Sequence, residues 1–356
     1  MTENLKPESL RDAPKVVLHD HLDGGLRPAT VLELADEVGH VLPADDEDSL
    51  ARWFHEGAYQ RDLTLYLRTF EHTVAVMQTP DALERVAYES AVDLADDGVP
   101  YAEIRYAPEL NVQRGLTMDD VLEATTAGFE RASRERGIVV RTIVAALRTE
   151  PHADEAAAAA VRWADRGVVA FDLAGAEAGY PASDHLDAIR TAQAGGLHVT
   201  LHAGEAHGLP SIRDAVETCG AERLGHGVRI VEDVADDGTL GPLATRVRDE
   251  GITLEVCPSS NVHTGAVASL AAHPVDRLVD LGFRVSVNTD NRLMSATTTT
   301  GEYRVCVDTF GWGVDRVART LRDGADAAFC SDAERRDLHA RIDAWVAATT
   351  DEAPEA

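Results

Sequence analysis

Histidines and acids recur in this sequence at the ends of apolar runs, where a chain that has just left a β-strand can aim a side chain at a ligand. The stretch Leu197-His-Val-Thr-Leu-His-Ala-Gly-Glu205 is apolar and β-branched, is bounded by Gly196 and Gly204, and ends in His202 and Glu205. Near the N-terminus, Lys15-Val-Val-Leu-His-Asp-His-Leu-Asp-Gly24 sets His19 and His21 two residues apart, with Asp20 and Asp23 beside them. Residues i and i+2 of a strand point to the same side, so these two imidazoles can chelate one ion. His226 lies in Gly225-His-Gly227, Gly175 closes Asp172-Leu-Ala-Gly175, and Asp290 and Asn291 end Val287-Asn-Thr-Asp-Asn. Taken singly, each has a plainer reading: a histidine at a strand end is more often a satisfied structural residue, and Asp-Asn is a common turn pair. Together they offer three histidines and a carboxylate, plus a glutamate and a further histidine. Three or four nitrogen and oxygen ligands leave room for water, which describes a mononuclear catalytic zinc site, and no thiolate stands at any of these positions.

Bringing such residues to one place requires a scaffold whose strand ends converge. Apolar runs at 15–18, Val99–Ala107, Ile138–Leu147, Val168–Leu173, Leu197–Leu201, Arg223–Leu224, Ile252–Val256 and Phe283–Val287 read as eight strands. Helical segments such as Thr117–Arg136, Ala153–Arg166 and Ser183–Ala194 separate them. This alternation predicts a (β/α)₈ TIM barrel, whose ligands bind at the carboxyl ends of the strands; an open doubly wound sheet is the alternative. The phosphate-cradling patterns Gly-x-Gly-x-x-Gly and Gly-x-x-x-x-Gly-Lys are missing. Between the first two strands, residues 28–97 carry helical periodicity and predict an insertion of about three helices, with Pro43–Asp48 as a solvated acidic connection. Leu67 and Phe70 share a helix face that is expected to be core rather than pocket lining. The expected organisation is a single domain over residues 1–348, followed by a disordered tail at 349–356.

Composition narrows the partners. The 356 residues carry 33 basic and 62 acidic side chains, a net charge of −29, which repels nucleic acid and anionic membranes over the whole surface. The N-terminus has neither a basic nor an apolar targeting region, so the chain reads as cytoplasmic. Cys219, Cys257, Cys306 and Cys330 form no Cys-x-x-Cys pair and are expected to be reduced, buried thiols. Oligomeric state leaves no mark on the sequence.

His19-Asp-His-Leu-Asp-Gly24, Asp172-Leu-Ala-Gly175, His202-Ala-Gly-Glu205, Gly225-His-Gly227 and Asn288-Thr-Asp290 resemble, in order, the five signature segments of the adenosine deaminases, members of the metal-dependent amidohydrolase barrels. The resemblance runs from about Lys15 to about Asn291. It implies hydrolytic deamination of adenosine and 2′-deoxyadenosine to the inosine products and ammonia, with one Zn²⁺ per chain held by His19, His21, His202 and Asp290. Glu205, protonated, would donate to N1 of the purine; His226 would accept the water's proton or stabilise the attacking oxygen electrostatically, helped by Asp290. His21, Asp23, Gly175 and Asn291 would contact the nucleoside: Asp23 the ribose 5′-hydroxyl, the Gly175 N–H purine N3. A carboxylate at Asp23 disfavours a 5′-phosphate. Adenine deaminases of the superfamily tend to carry Glu there. The family usually shows a second aspartate where this chain has Asn291, and an amide donates to N7 at any pH. That departure admits another 6-aminopurine compound, such as aminodeoxyfutalosine or adenine, as substrate. A catalytically silent nucleoside-binding relative would be expected to lack Glu205 or a metal ligand.

Overall fold

The computed structural model describes Leu5 and residues 7–351. Eight parallel strands stand in chain order: β1 (Val16–His21), β2 (Tyr101–Tyr106), β3 (Val139–Leu147), β4 (Val168–Ala174), β5 (His198–Ala203), β6 (Arg223–His226), β7 (Thr253–Val256) and β8 (Val285–Val287). Each neighbours the next, and β8 returns to β1 through an Asp20–Asp290 bridge. At that seam the His21 N–H donates to the Asp290 carbonyl (2.8 Å) and the Asp290 N–H to the His19 carbonyl (3.0 Å). The Asn288 side-chain oxygen takes the N–H groups of Leu18 and His19, so one amide fastens β8 to β1. This is the (β/α)₈ TIM barrel expected from the alternation. Strands buried on both faces need continuous apolar runs, and β8 is buried throughout as Val285-Ser-Val287.

Three runs extend two or more residues further than their apolar residues alone suggest. β1 continues to His21, β5 to Ala203 and β6 to His226, so His21 and His226 are the last residues of their strands and His202 the last but one of its own. The chain between β1 and β2 folds as five helices, Pro28–Val38, Glu47–Ala58, Leu63–Leu67, Phe70–Val76 and Pro80–Asp96, where about three were expected. The acidic connection is shorter than Pro43–Asp48 because Asp46 caps the second helix, accepting from the Ser49 N–H (3.0 Å), and Glu47 and Asp48 form its first turn. Acidic side chains are favoured there by the helix dipole. At the other end the helix Asp332–Asp351 takes in residues 349–351; the rest of the expected tail, 352–356, lies outside the described residues.

The barrel interior is charged rather than apolar. Arg105 on β2 reaches Asp172 on β4 (2.9 Å) and Glu255 on β7 (2.6 Å), while Arg223 on β6 pairs with Glu255 (2.7 Å) and Glu103 (2.5 Å). All five are buried. Removing one partner of such a set leaves an uncompensated charge, which destabilises by about 3–5 kcal/mol. Cys219, Cys257 and Cys306 are buried thiols as expected, whereas Cys330 is half-buried; none is in a disulfide among the described residues. Among those residues no helix is long and apolar enough to cross a membrane.

Candidate active site and metal centre

The carboxyl ends of the strands surround a cavity of about 480 Å³, a size typical of small-molecule sites. His21, Asp23, Gly175, His202, Glu205, His226, Asp290 and Asn291 all line it, and His19 lies fully buried beneath. At or near the carboxyl ends of β2, β3 and β4, Ala107, Ala145 and Ala174 cluster and line the cavity as well, and their short side chains leave room for a flat ring. Leu67 and Phe70, expected in the core, face this cavity from the insertion and are half-buried. The reason is that their helices lie across the strand ends rather than against the barrel's flank.

Four ring nitrogens and a carboxylate meet at the cavity floor. His21 Nε2 is 3.2 Å from His202 Nε2 and 3.3 Å from Asp290 Oδ1, and His19 Nε2 is 3.3 Å from the same oxygen. Ligand atoms on His19, His202, His226 and Asp290 all lie within 4.8 Å of one another. His19 Nε2 has no hydrogen-bond partner among the described residues. Tetrahedral bonds of 2.0–2.1 Å separate neighbouring ligand atoms by about 3.3–3.4 Å, so the His19, His21, His202 and Asp290 set fits a zinc-sized ion. The outer contacts fit as well. His19 Nδ1 faces Glu255 (3.0 Å) and His202 Nδ1 faces Asp172 (2.9 Å), which turns each Nε2 inward with its lone pair free. Burial lowers the pKa of His19 and drives that of His21 well below its ordinary value, keeping both neutral.

Backbone geometry places these groups. His226 (φ 64°) and Asp290 (φ 60°) adopt the left-handed conformation, sparsely populated for residues with a side chain and tolerated where surroundings over-determine it. Gly225 lets His226 approach: a Cβ there would stand 3.0 Å from His202 Cα and 3.1 Å from the His19 ring. Gly175, at φ 86°, turns the chain at the end of β4. Asn291 packs on Gly24, where a Cβ would lie 2.0 Å from its side-chain oxygen.

Glu205 is buried, with Oε2 3.6 Å from His226 Nε2. Burial raises its pKa; the charge of Asp290 adds to the effect and the nearby His226 opposes it. Asp23 is pushed up to about 7, by burial first, with the charges of Asp290 and Asp20 adding. Asp20, the other acid of the first motif, instead accepts from Thr289 (2.6 Å) and Arg292 (2.9 Å) and serves the seam.

Several residues that shape the site carry no motif. Glu177 accepts four backbone N–H groups, from Gly204 (2.6 Å), Glu205 (3.1 Å), Ala206 (2.6 Å) and His207 (2.9 Å), and so holds the loop that bears Glu205. Ser260 donates to Asp290 Oδ2, and Asn261 stands 3.0 Å from His226 Nδ1. Both lie in Pro258–His263, directly after β7, where Ser259-Ser260-Asn261 carries the same polar signal at a strand end. Tyr66, buried in the insertion, also lines the cavity.

Comparison with known proteins gives the family. The family model described as adenosine deaminase matches residues 14–345. An adenosine deaminase of Mycolicibacterium gilvum is 54% identical over 345 residues, covering 94% of this chain and 95% of its own. Among solved structures, the adenine deaminase of Arthrobacter aurescens superposes with a TM-score of 0.84 at 26% identity, over 94% of this chain and 99% of its own. The arabidopsis ADAL protein, solved with IMP, gives 0.84 at 25% identity over 96% and 99%. A barrel whose strand ends gather a zinc-type ligand set beside a buried glutamate, with a match of this extent, belongs to the adenosine deaminase family.

Proposed function

We propose that this protein removes the 6-amino group of adenosine and 2′-deoxyadenosine by hydrolysis, using one Zn²⁺ held by His19, His21, His202 and Asp290. The observation that carries this reading is the juxtaposition of that ligand set with Glu205, a buried carboxyl favoured in its protonated form, on one cavity wall. Bound there, Zn²⁺ lowers the pKa of water toward about 7 and supplies a nucleophile at neutral pH.

The chain's own groups do the rest. His226 faces the attacking oxygen with Asp290 beside it. As oxygen adds to C6 the ring loses aromaticity and electron density moves to N1, where the Glu205 proton meets it. The proton of the added hydroxyl passes to the amino nitrogen, the C6–N bond breaks, ammonia leaves and the 6-oxopurine remains. The Gly175 N–H toward N3 and the Asn291 amide toward N7 fix the ring, and Asp23 meets the 5′-hydroxyl. Arg68, the arginine among the residues lining the cavity, is exposed, whereas Asp23 is buried. A 5′-phosphate is therefore disfavoured, and the nucleoside is preferred over nucleotides such as the IMP that ADAL was solved with.

The test is the ultraviolet shift on conversion of adenosine to inosine, measured beside AMP and adenine. Adenosine should show the highest kcat/KM of the three; conversion of AMP or adenine with adenosine untouched would overturn the assignment.

A further inference from the structure

Two buried residues outside the signature segments determine what His226 can do. Asn261 is fully buried in the turn of helix after β7, and His273, 4% exposed, follows twelve residues later. The Val275 backbone N–H donates to His273 Nδ1 (3.1 Å); His273 Nε2 lies 3.2 Å from Asn261 Oδ1; Asn261 Nδ2 lies 3.0 Å from His226 Nδ1. A backbone N–H can only donate, so polarity at the start of this chain is fixed. His273 Nδ1 must carry a lone pair, and the single proton of a neutral imidazole then sits on Nε2. That proton points at Asn261, whose oxygen accepts it, leaving the amide NH₂ to donate to His226 Nδ1. Reversing the chain would require His273 to accept at both nitrogens, which neutral imidazole cannot do. A cationic His273 would set Nδ1–H against the Val275 N–H, and burial holds its pKa down to about 3.

We infer that Asn261 and His273 are positioning residues that lock His226 in the Nε2–H tautomer, so that it presents a hydrogen-bond donor, not a base, to the attacking oxygen. His226 Nε2, on the side of the ring toward Glu205, already holds a proton. Of the two roles open to this histidine, holding and aiming the oxygen is the one its partners permit. The inference rests on the deaminase reading for its consequence in turnover, but not for the tautomer itself.

Two measurements test it. In the metal-loaded, substrate-free protein with ¹⁵N-labelled histidine, two-bond ¹H–¹⁵N correlations should show His226 protonated at Nε2 and bare at Nδ1 near neutral pH, its signals assigned by their loss in His226→Gln. A resting Nδ1–H would overturn the proposal, whatever the protein's activity. The second is the isosteric Asn261→Asp, whose carboxylate accepts from Nδ1–H and so reverses the tautomer. It should lower kcat about a hundredfold, the effect of losing one preorganised donor, with KM for adenosine and bound zinc unchanged. A reversed tautomer with undiminished kcat would mean that His226 works as a base, and would also overturn it. Should the variant not fold, the wild-type spectrum decides. Should wild type deaminate no nucleoside, the functional reading fails while the spectrum still tests the tautomer.

Discussion

Glu177→Gln probes how the catalytic acid is held. Its carboxylate takes four N–H groups from residues 204–207, three of them on Oε2. An amide has one oxygen. If that oxygen keeps the three, the NH₂ is turned on the Gly204 N–H, and a buried donor is stranded at about 1–3 kcal/mol. Loss of charge weakens each remaining bond by about 0.5 kcal/mol or more, so the loop loses roughly 3 kcal/mol altogether. Over a chain of this length that corresponds to a fall in Tm of about 4 °C. The consequence for turnover is larger, because Glu205 sits inside the freed loop and a displacement of about 1 Å at a reacting group lowers rate about a hundredfold. Glu177 takes its hydrogen bonds from residues 204–207 and makes none to His19, His21, His202 or Asp290, so zinc content should stay at the wild-type level. The assay is kcat and KM for adenosine, with metal analysis and thermal unfolding of the same sample. A kcat equal to wild type would refute the claim that Glu177 positions Glu205, and loss of zinc would place its effect elsewhere.

Glu205→Gln keeps a hydrogen bond to N1 but cannot deliver a proton; turnover should fall at least about a hundredfold with zinc retained, as read by steady-state kinetics and metal analysis. If the Asn291 amide donates to N7, 7-deazaadenosine should bind more weakly than adenosine by about 1–3 kcal/mol, and equal affinity in a competition assay would remove Asn291 from the substrate contacts. Asp23 sets a pH dependence on stability: its folded pKa of about 7 lies above the ordinary carboxyl value of 3.8, so its favourable contribution is complete below about pH 4 and is lost as pH rises through 7. In the metal-free protein Asp23→Asn should therefore gain stability over wild type at pH 8 relative to pH 4, by at most about 4 kcal/mol, and a constant difference in denaturant unfolding across that range would show that Asp23 is not perturbed.

The parts of this site that can be read in the sequence are those where polar residues interrupt the end of an apolar run. His19, His202 and Asp290 stand out in this way, and the strand period already places His19 and His21 on one side. Arg105 and Glu255 do not stand out: they lie within strands, and a buried charge is intelligible only once its partner on another strand is known. Glu177 lies two residues beyond the Gly175 motif, and its meaning depends on a loop 27 residues further along the chain. Asn261 and His273 form a contact whose consequence is the polarity of a hydrogen-bond chain, which no spacing encodes. Leu67 and Phe70 line the cavity, Phe70 while also packing against the core, because periodicity tells which face of a helix is apolar, not whether that face meets a core or a cavity.

Zinc stoichiometry followed through removal and return tests the central claim most directly. The purified protein should hold about one Zn²⁺ per chain; chelation should abolish adenosine deamination, one equivalent should restore it, and His202→Ala should neither bind the ion nor turn over. Full deamination by a preparation shown to be metal-free would contradict the account.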